Sequence, residues 1–375
     1  MKFRVDRDVF ADAVAWAARS LPVRPSAPVL AGLLIEATPE GLVLSSFDYE
    51  TSARAELRAD VADDGRVLVS GRLLADICRS LPHKPVDCEL VGAKLEIKCG
   101  SGRFSLQTMP VEDYPALPTV PAPSGVVKGE EFARAVSQAV TAAGRDDMLP
   151  VLTGVRIEIE GDRMSLLATD RFRLSHRELT WTPHQTDASL AALVPAKVLS
   201  DTAKTLQGDV TISIAGAGGE GIIGFEGSSA DGVRRTTTRL LDGEFPKVRS
   251  LFPAEHLTVA TVGKQDLIDT VKRVALVAER NTAVQMKFAD GEVVLDSQSG
   301  DEAQATEAIE AEIKGDEIVT GFNPAYLLDG LSALDGEKVD LAFTQASKPV
   351  VISSTDGDGS QHSFRYLLMP RRLLS

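Results

Sequence analysis

Apolar residues at Val9, Phe10, Ala13, Val14, Ala17 and Leu21 recur every three or four positions, which predicts an amphipathic helix with its apolar stripe turned to a core. The opening "MKFRV" reads as a strand leading into it. The same pattern then returns. A shift of 122 positions lays "RDVFADAVAWAARSLP" over "GEEFARAVSQAVTAAG", with Phe10 on Phe132 and Val14 on Val136. A third copy, "KQDLIDTVKRVALVAER", offers Leu267 and Val271 at those places. "PVLAGLLIE" from Pro28 is echoed by "PVLTGVRIE" from Pro150. Strand–turn–strand units follow, with Leu44, Leu166 and Leu295 in register. Each is succeeded by a second helix aligned on Leu74, Leu199 and Leu327, then Asp76, Asp201 and Asp329, then Leu81, Leu206 and Leu334. Closing strands end in "FSLQTMP" at Phe104 and "FRYLLMP" at Phe364, with a looser "TTTRLLDGEFP" between them.

Four elements in one order, three times over, predict three α+β domains, each with two helices packed on sheets of half-buried strands. Proline and small residues in "PTVPAPSG" (118–125) and "FPAEHL" (252–257) mark the links, giving domains over 1–120, 121–252 and 253–375. A period of ~125 residues is too long for a solenoid unit, so the repeats are whole domains.

Composition narrows the function. The chain is 43% apolar and 25% charged, as a globular protein is, and no apolar run approaches the length of a membrane span. No secretory signal opens it, and Cys78, Cys88 and Cys99 form an odd set without metal-ligand spacing, so a reducing cytoplasm is expected. A net charge of −14 argues against a surface that coats nucleic acid everywhere, but it leaves room for a local basic face. Catalytic and cofactor motifs are missing. Gly216, Gly218 and Gly221 spell GxGxxG, but a strand-like "IIGFEG" follows where a dinucleotide site needs a helix, so a hairpin is expected. "DGDGS" from Asp356 opens like a calcium loop, yet its twelfth position is Leu367. His176 beside Ser175 on a strand would point to the opposite face. These readings favour binding over catalysis, with no metal and no cofactor.

Basic residues recur instead. Arg19, Arg134, Lys272 and Arg273 fall on the first helices, Arg79, Lys197 and Lys204 on the second, and Arg24 and Arg145 in loops after the first helices. Any one of them alone is an ordinary solvated position. Together, on repeated domains arranged as an arc, they predict a basic surface, and two arcs can close head to tail into a ring.

"MKFRVDRD", "VLVSGRLLADICRSLP", "SGRFSLQTMPVEDYPALP", "LLATDRFRLSHREL", "TTRLLDGEFPKVRSLFP" and "YLLMPRRL" together resemble the bacterial DNA polymerase III β sliding clamps, with several wordings similar to the actinobacterial branch. The resemblance runs from Met1 to the C-terminus. It implies a non-catalytic processivity factor: a head-to-tail homodimer whose ring encircles duplex DNA without reading sequence. The polymerase III catalytic subunit, the clamp loader, other polymerases and repair proteins would dock through short peptides. It implies phosphate contacts at Arg24, Arg79, Arg145, Lys197, Lys204 and Arg273. A peptide pocket is implied with Leu152, Thr169, Arg171, Arg173, Leu174, Pro246 and Leu251 on one side. Pro349, Leu367, Leu368, Met369, Pro370, Arg371 and Arg372 would form the other. Such an apolar cleft with a cationic rim suits apolar peptide anchors. Arg171 and Phe172 replace the Gly-His of some relatives, and Arg371 stands where several carry a smaller or apolar residue. Ring closure is expected to join the strand holding Arg103, Phe104 and Leu106 to the helix end at Leu276 and Val277, with Arg72 and Arg103 facing Glu302 and Glu307. Two other readings stay open on residues alone. A nucleotide-binding enzyme would bind common nucleotides tightly, and a DNA-free scaffold would not be retained on DNA of any topology.

Overall fold

A computed structural model describes residues 1–215, 221–229, 232–278, 282–299, 302–355 and 364–371. Among them the six repeated helices are present: α1 (Arg7–Ala18), α2 (Gly71–Ser80), α3 (Gly129–Ala139), α4 (Ala196–Ala203), α5 (Lys264–Val274) and α6 (Pro324–Ala333). Asp6 starts α1 by accepting the Asp8 and Val9 amides, and Asn323 does the same for the first amides of α6, so each supplies an oxygen that the helix end lacks. Every aligned apolar position is buried, from Phe10, Phe132 and Leu267 to Leu81, Leu206 and Leu334. The predicted face of α1 needs one amendment. Val9 is only half buried, and Trp16 joins the buried stripe.

The strands pair antiparallel, and Ala303–Lys314 alternates as expected, whereas Gly41–Phe47 and Arg163–Thr169 are buried on both faces. In the first repeat Gly32–Thr38, Gly41–Phe47 and Thr51–Leu57 form a meander. The same meander recurs as Gly154–Glu160, Arg163–Thr169 and Arg173–Thr180. It recurs again as Val284–Ala289, Glu292–Ser299 and Ala303–Lys314. Sheets do not stop at repeat boundaries. Gly232–Arg239 of the second repeat pairs with Thr51–Leu57 of the first, and Phe364–Leu368 of the third pairs with Arg173–Arg177 of the second.

These junctions explain how the chain compacts. One unit comprises Met1–Ala133, Trp181–Val194 and Asp201–Leu240, and holds a sheet of 14 described strands. The other comprises Arg134–Thr180, Pro195–Ser200 and the chain from Leu241. Its core is built from α5, α6 and strand residues including Phe288, Phe322, Phe343 and Tyr366. The expected divisions near 120 and 252 mark the sequence repeats, but compactness follows the sheets, so the middle repeat contributes to both units.

The strands that flank the glycine-rich run pair with each other. Asp209–Ile214 and Ile222–Ser229 pair antiparallel, with Ile214 opposite Ile223, and no helix follows. Gly216 and Gly218 lie outside the described residues, as does the "DGDGS" run from Asp356, while Leu367 belongs to a strand. No described helix is long and apolar enough to cross a membrane.

Candidate functional site

The junction of the second and third repeats, inside one compact unit, gathers most of the expected pocket residues. A tight turn connects Arg163–Thr169 to Arg173–Thr180. Asp170 holds it by accepting the Phe172 and Arg173 amides at 3.0 and 3.1 Å, and Thr169 Oγ1 donates to the Arg173 carbonyl at 2.7 Å. Arg171 sits at φ 81°, in the left-handed region that non-glycine residues rarely adopt. The C-terminal strand runs alongside, with Leu368 opposite Arg173 and Leu367 opposite Leu174. Beyond its end, Met369 N–H donates to the Phe172 carbonyl and Arg371 N–H to the Gly321 carbonyl. Val350 pairs with Leu368, so the half-buried Pro349 just before it lies at the same place. Leu152 is buried in a 3-10 turn, Pro150–Thr153, that lies against Arg163–Thr169. Pro246 and Leu251 are exposed on the segment tied down by Arg249, whose Nε reaches Glu158 at 3.0 Å.

Burial divides this set by role. Leu152, Leu174, Leu367 and Leu368 are core and can form only a floor. Phe172, Leu251 and Met369 are apolar side chains left in solvent, Met369 at 40% exposure. Arg173 is not a rim cation. It is 5% exposed, bonds Asp170 at 2.9 Å and Asp329 at 2.6 Å, and lies 4.3 Å above the Tyr326 ring. Burial works against its charge, but Tyr366, Asp329 and Asp170 together hold its pKa above the ordinary value. Breaking such a buried pair leaves an uncompensated charge, at a cost of about 3–5 kcal/mol. The exposed cation is Arg171, 5.8 Å from the Phe172 ring, which itself stacks on Tyr326. Asp170, Tyr326 and Asp329 belong to the site although the sequence pattern does not single them out for it. The recurring Asp76/Asp201/Asp329 position is the one signal that points there. Arg372 lies outside the described residues.

Two complementary strands, the closing strand of the first repeat and the last meander strand of the third, are open along much of one side among the described residues. In the first repeat Gly102–Met109 pairs with Lys94–Cys99 on one side, while on the other only Thr108 and Met109 have described partners. In the third, Ala303–Lys314 pairs with Glu292–Ser299, and its other side is taken only at Ala311–Lys314. Arg103 is exposed and Phe104 half buried, whereas Leu106 is 3% exposed, its side chain on the buried face of the strand. Leu276, at the end of α5, is 83% exposed, beside a half-buried Val277. Arg72 is exposed and donates to the Pro22 carbonyl at 3.0 Å, and Glu302 is exposed.

Among the cations, Arg24 and Arg145 are exposed in loops, Arg79 and Lys197 on α2 and α4, and Lys204 one residue beyond α4. Arg79 reaches Asp76 at 3.4 Å. Arg24 and Arg145 differ by one register position, since Arg145 aligns with Val23. Arg273 is placed differently. Its Nε bonds Glu307 at 2.9 Å, and the hydrogen bond raises the Arg273 pKa and lowers that of Glu307. By the helix alignment it occupies the position of Trp16 and Gln138. Each of those meets the following repeat: Trp16 lies 5.7 Å from the Arg234 guanidinium, and Gln138 donates to the Ala333 carbonyl at 2.9 Å.

Three family models cover the chain. The N-terminal domain of the DNA polymerase III beta subunit matches residues 1–118, the central domain 126–247 and the C-terminal domain 249–372. The beta sliding clamp of Streptomyces coelicolor is 55% identical across the whole of both chains, and a beta sliding clamp homolog of Streptomyces muensis is 43% identical over 99% of each. The sliding clamp of Bacillus subtilis superposes with a TM-score of 0.91 at 25% identity over the whole of both chains. A Pseudomonas aeruginosa sliding clamp bound to griselimycin gives the same TM-score, identity and coverage.

Proposed function

The chain belongs to the beta sliding clamps, the beta subunits of DNA polymerase III, and is a non-catalytic processivity factor that closes as a dimer around duplex DNA; from that premise we propose which residues do the work, and that they do it in the cytoplasm.

The observation that carries this reading is the pair of open edges. Within the chain, each repeat offers the last strand of its meander to the closing strand of the next repeat. Ala303–Lys314 of the third repeat and Gly102–Met109 of the first lack such a partner along most of their length among the described residues. A second copy supplies both, since the open stretch of Ala303–Lys314 in one subunit can take the open stretch of Gly102–Met109 in the other. The internal junctions also give the register. Thr51 faces Thr238 and Leu57 faces Gly232, while Arg173 faces Leu368. Carried through the repeat alignment, Ala303 of one subunit meets Thr108 of the other, and Ile309 meets Gly102. Faces agree in this register: the buried Leu106 meets the inward Ala305, and the exposed Ser105 meets the exposed Thr306. Arg273 falls at this seam, because its helix position is where Trp16 and Gln138 meet a following repeat, and Leu276 lies three residues further along the same segment. We therefore assign Arg273 to ring closure with Arg72, Arg103, Glu302 and Glu307. Phosphate contact stays with Arg24, Arg79, Arg145, Lys197 and Lys204.

Phe172, Leu251 and Met369 over a floor of Leu174 and Leu368 form the peptide-docking surface for polymerase and clamp loader, with Arg171 and Arg371 as its cations and Arg173 as the buried tie beneath. The function is tested by loading the protein onto nicked circular DNA and then cutting the circle. A topological clamp stays on the circle and is lost on linearisation. Equal retention on both forms would overturn encirclement.

A further inference from the structure

The junction between the first and second repeats reproduces the backbone bonds of the pocket turn, and we infer that it is a second, smaller peptide site with its own specificity. This rests on reading the second junction as a peptide pocket. Asp48 matches Asp170: its Oδ1 accepts the Glu50 and Thr51 amides at 3.0 and 2.7 Å. Tyr49 matches Arg171, at φ 74°. Arg239 N–H donates to the Glu50 carbonyl at 2.9 Å, as Met369 N–H does to the Phe172 carbonyl at 2.9 Å. Tyr114-Pro115 stands where Phe245-Pro246 stands.

The copied turn again leaves a cleft, of about 250 Å³, with Phe47, Tyr49, Pro115, Ala116, Ile222 and Arg239 in its lining. That falls just below the span of about 300–1,000 Å³ for small-ligand sites, which suits one anchoring side chain. Its chemistry differs from the copy. Phe47 replaces Thr169 and packs 5.7 Å from Tyr49, which is itself 50% exposed. Arg239 replaces Met369 and is held by its Nε on the Tyr49 carbonyl at 3.0 Å, so its position is fixed before any ligand arrives. Glu50, exposed along the same lining, disfavours a second acid. The occupant is a short peptide with one aliphatic side chain in the cleft and one carboxylate on Arg239.

Methyl NMR of the intact protein tests this with acetyl-Leu-Asp-amide as the probe, read at Ile222 and Ala116. Saturable shifts are expected with this peptide and none with acetyl-Leu-Lys-amide. Arg239→Gln should weaken binding at least tenfold, while Met369→Ala leaves it unchanged. No saturable shift, or equal response to both peptides, overturns the inference. A polymerase-tail peptide followed at Leu174 and Leu368 keeps the two readings apart. Shifts there with none at Ile222 from either peptide sink the second site alone, whereas silence at Leu174 and Leu368 sinks the pocket that the second site copies.

Discussion

His176 shows how one side chain ties the pocket junction to pH. It pairs across the sheet with Arg365, whose guanidinium donates to Nδ1 at 2.9 Å, which leaves the imidazole proton on Nε2. Nε2 is buried without a hydrogen-bond partner, with Glu178 at 3.7 Å. Burial first, then the charges of Arg365 and Arg249, lowers the His176 pKa from 6.5 to about 3. The folded protein therefore refuses a proton that the unfolded chain accepts below 6.5. Stability from this site is complete above that value and drains away as pH falls toward 3. Its slope is at most about 1.4 kcal/mol per pH unit. Replacing His176 with Gln should flatten the acid limb: urea midpoints at neutral pH and at about pH 4.5 should lie closer together than in the parent. An unchanged gap would mean that other groups set the acid sensitivity. None of this was readable in the sequence, where Ser175-His176 signalled only that neighbours on a strand face opposite ways.

At the scale of elements, the sequence carried most of the fold, because the leucines and phenylalanines that align across the repeats are the residues that each domain must bury. It carried less of the site. Periodicity separates inside from outside, yet Arg173 and Arg171 sit two residues apart on one turn, and only the turn's geometry decides which is a buried tie and which a rim cation. Leu106 illustrates the same limit within an edge strand: alternation places it opposite in facing to Arg103 and Ser105, but a sequence match to an interface strand does not say which face is already occupied. The open edges themselves are a property of pairing, visible once every neighbour strand is assigned. They predict a register that can be trapped. Ser105→Cys combined with Thr306→Cys should give a covalent dimer under mild oxidation, because directly opposed strand residues fall within disulfide reach. Shifting the second cysteine to Gln304 should cut the yield severely. The three native cysteines are buried and leave the background low. Equal crosslinking from both pairs, or from neither, would reject the register.

For the whole molecule, the balance between charge and topology decides how the clamp holds DNA. A net charge of −14 means that attraction to duplex depends on a few exposed cations set against an acidic surround. Each phosphate contact contributes about 0.9 to the slope of log affinity against log salt. Arg24→Glu with Lys197→Glu should therefore make direct binding to a short duplex weaker and less salt-dependent, by up to that amount for each phosphate no longer neutralised by the dimer. Arg273→Glu should behave otherwise. Its partner Glu307 would then face a like charge at the seam, so sedimentation should shift toward monomer while any residual duplex binding keeps the parental salt slope. The same fall in slope for Arg273→Glu as for the other two would return this residue to the DNA surface. The Arg24/Lys197 variant, once loaded on a closed circle, should still be retained there at salt concentrations that abolish its binding to short duplex. A ring is held by having no end to leave from, so weakening the phosphate contacts removes grip and leaves the link intact.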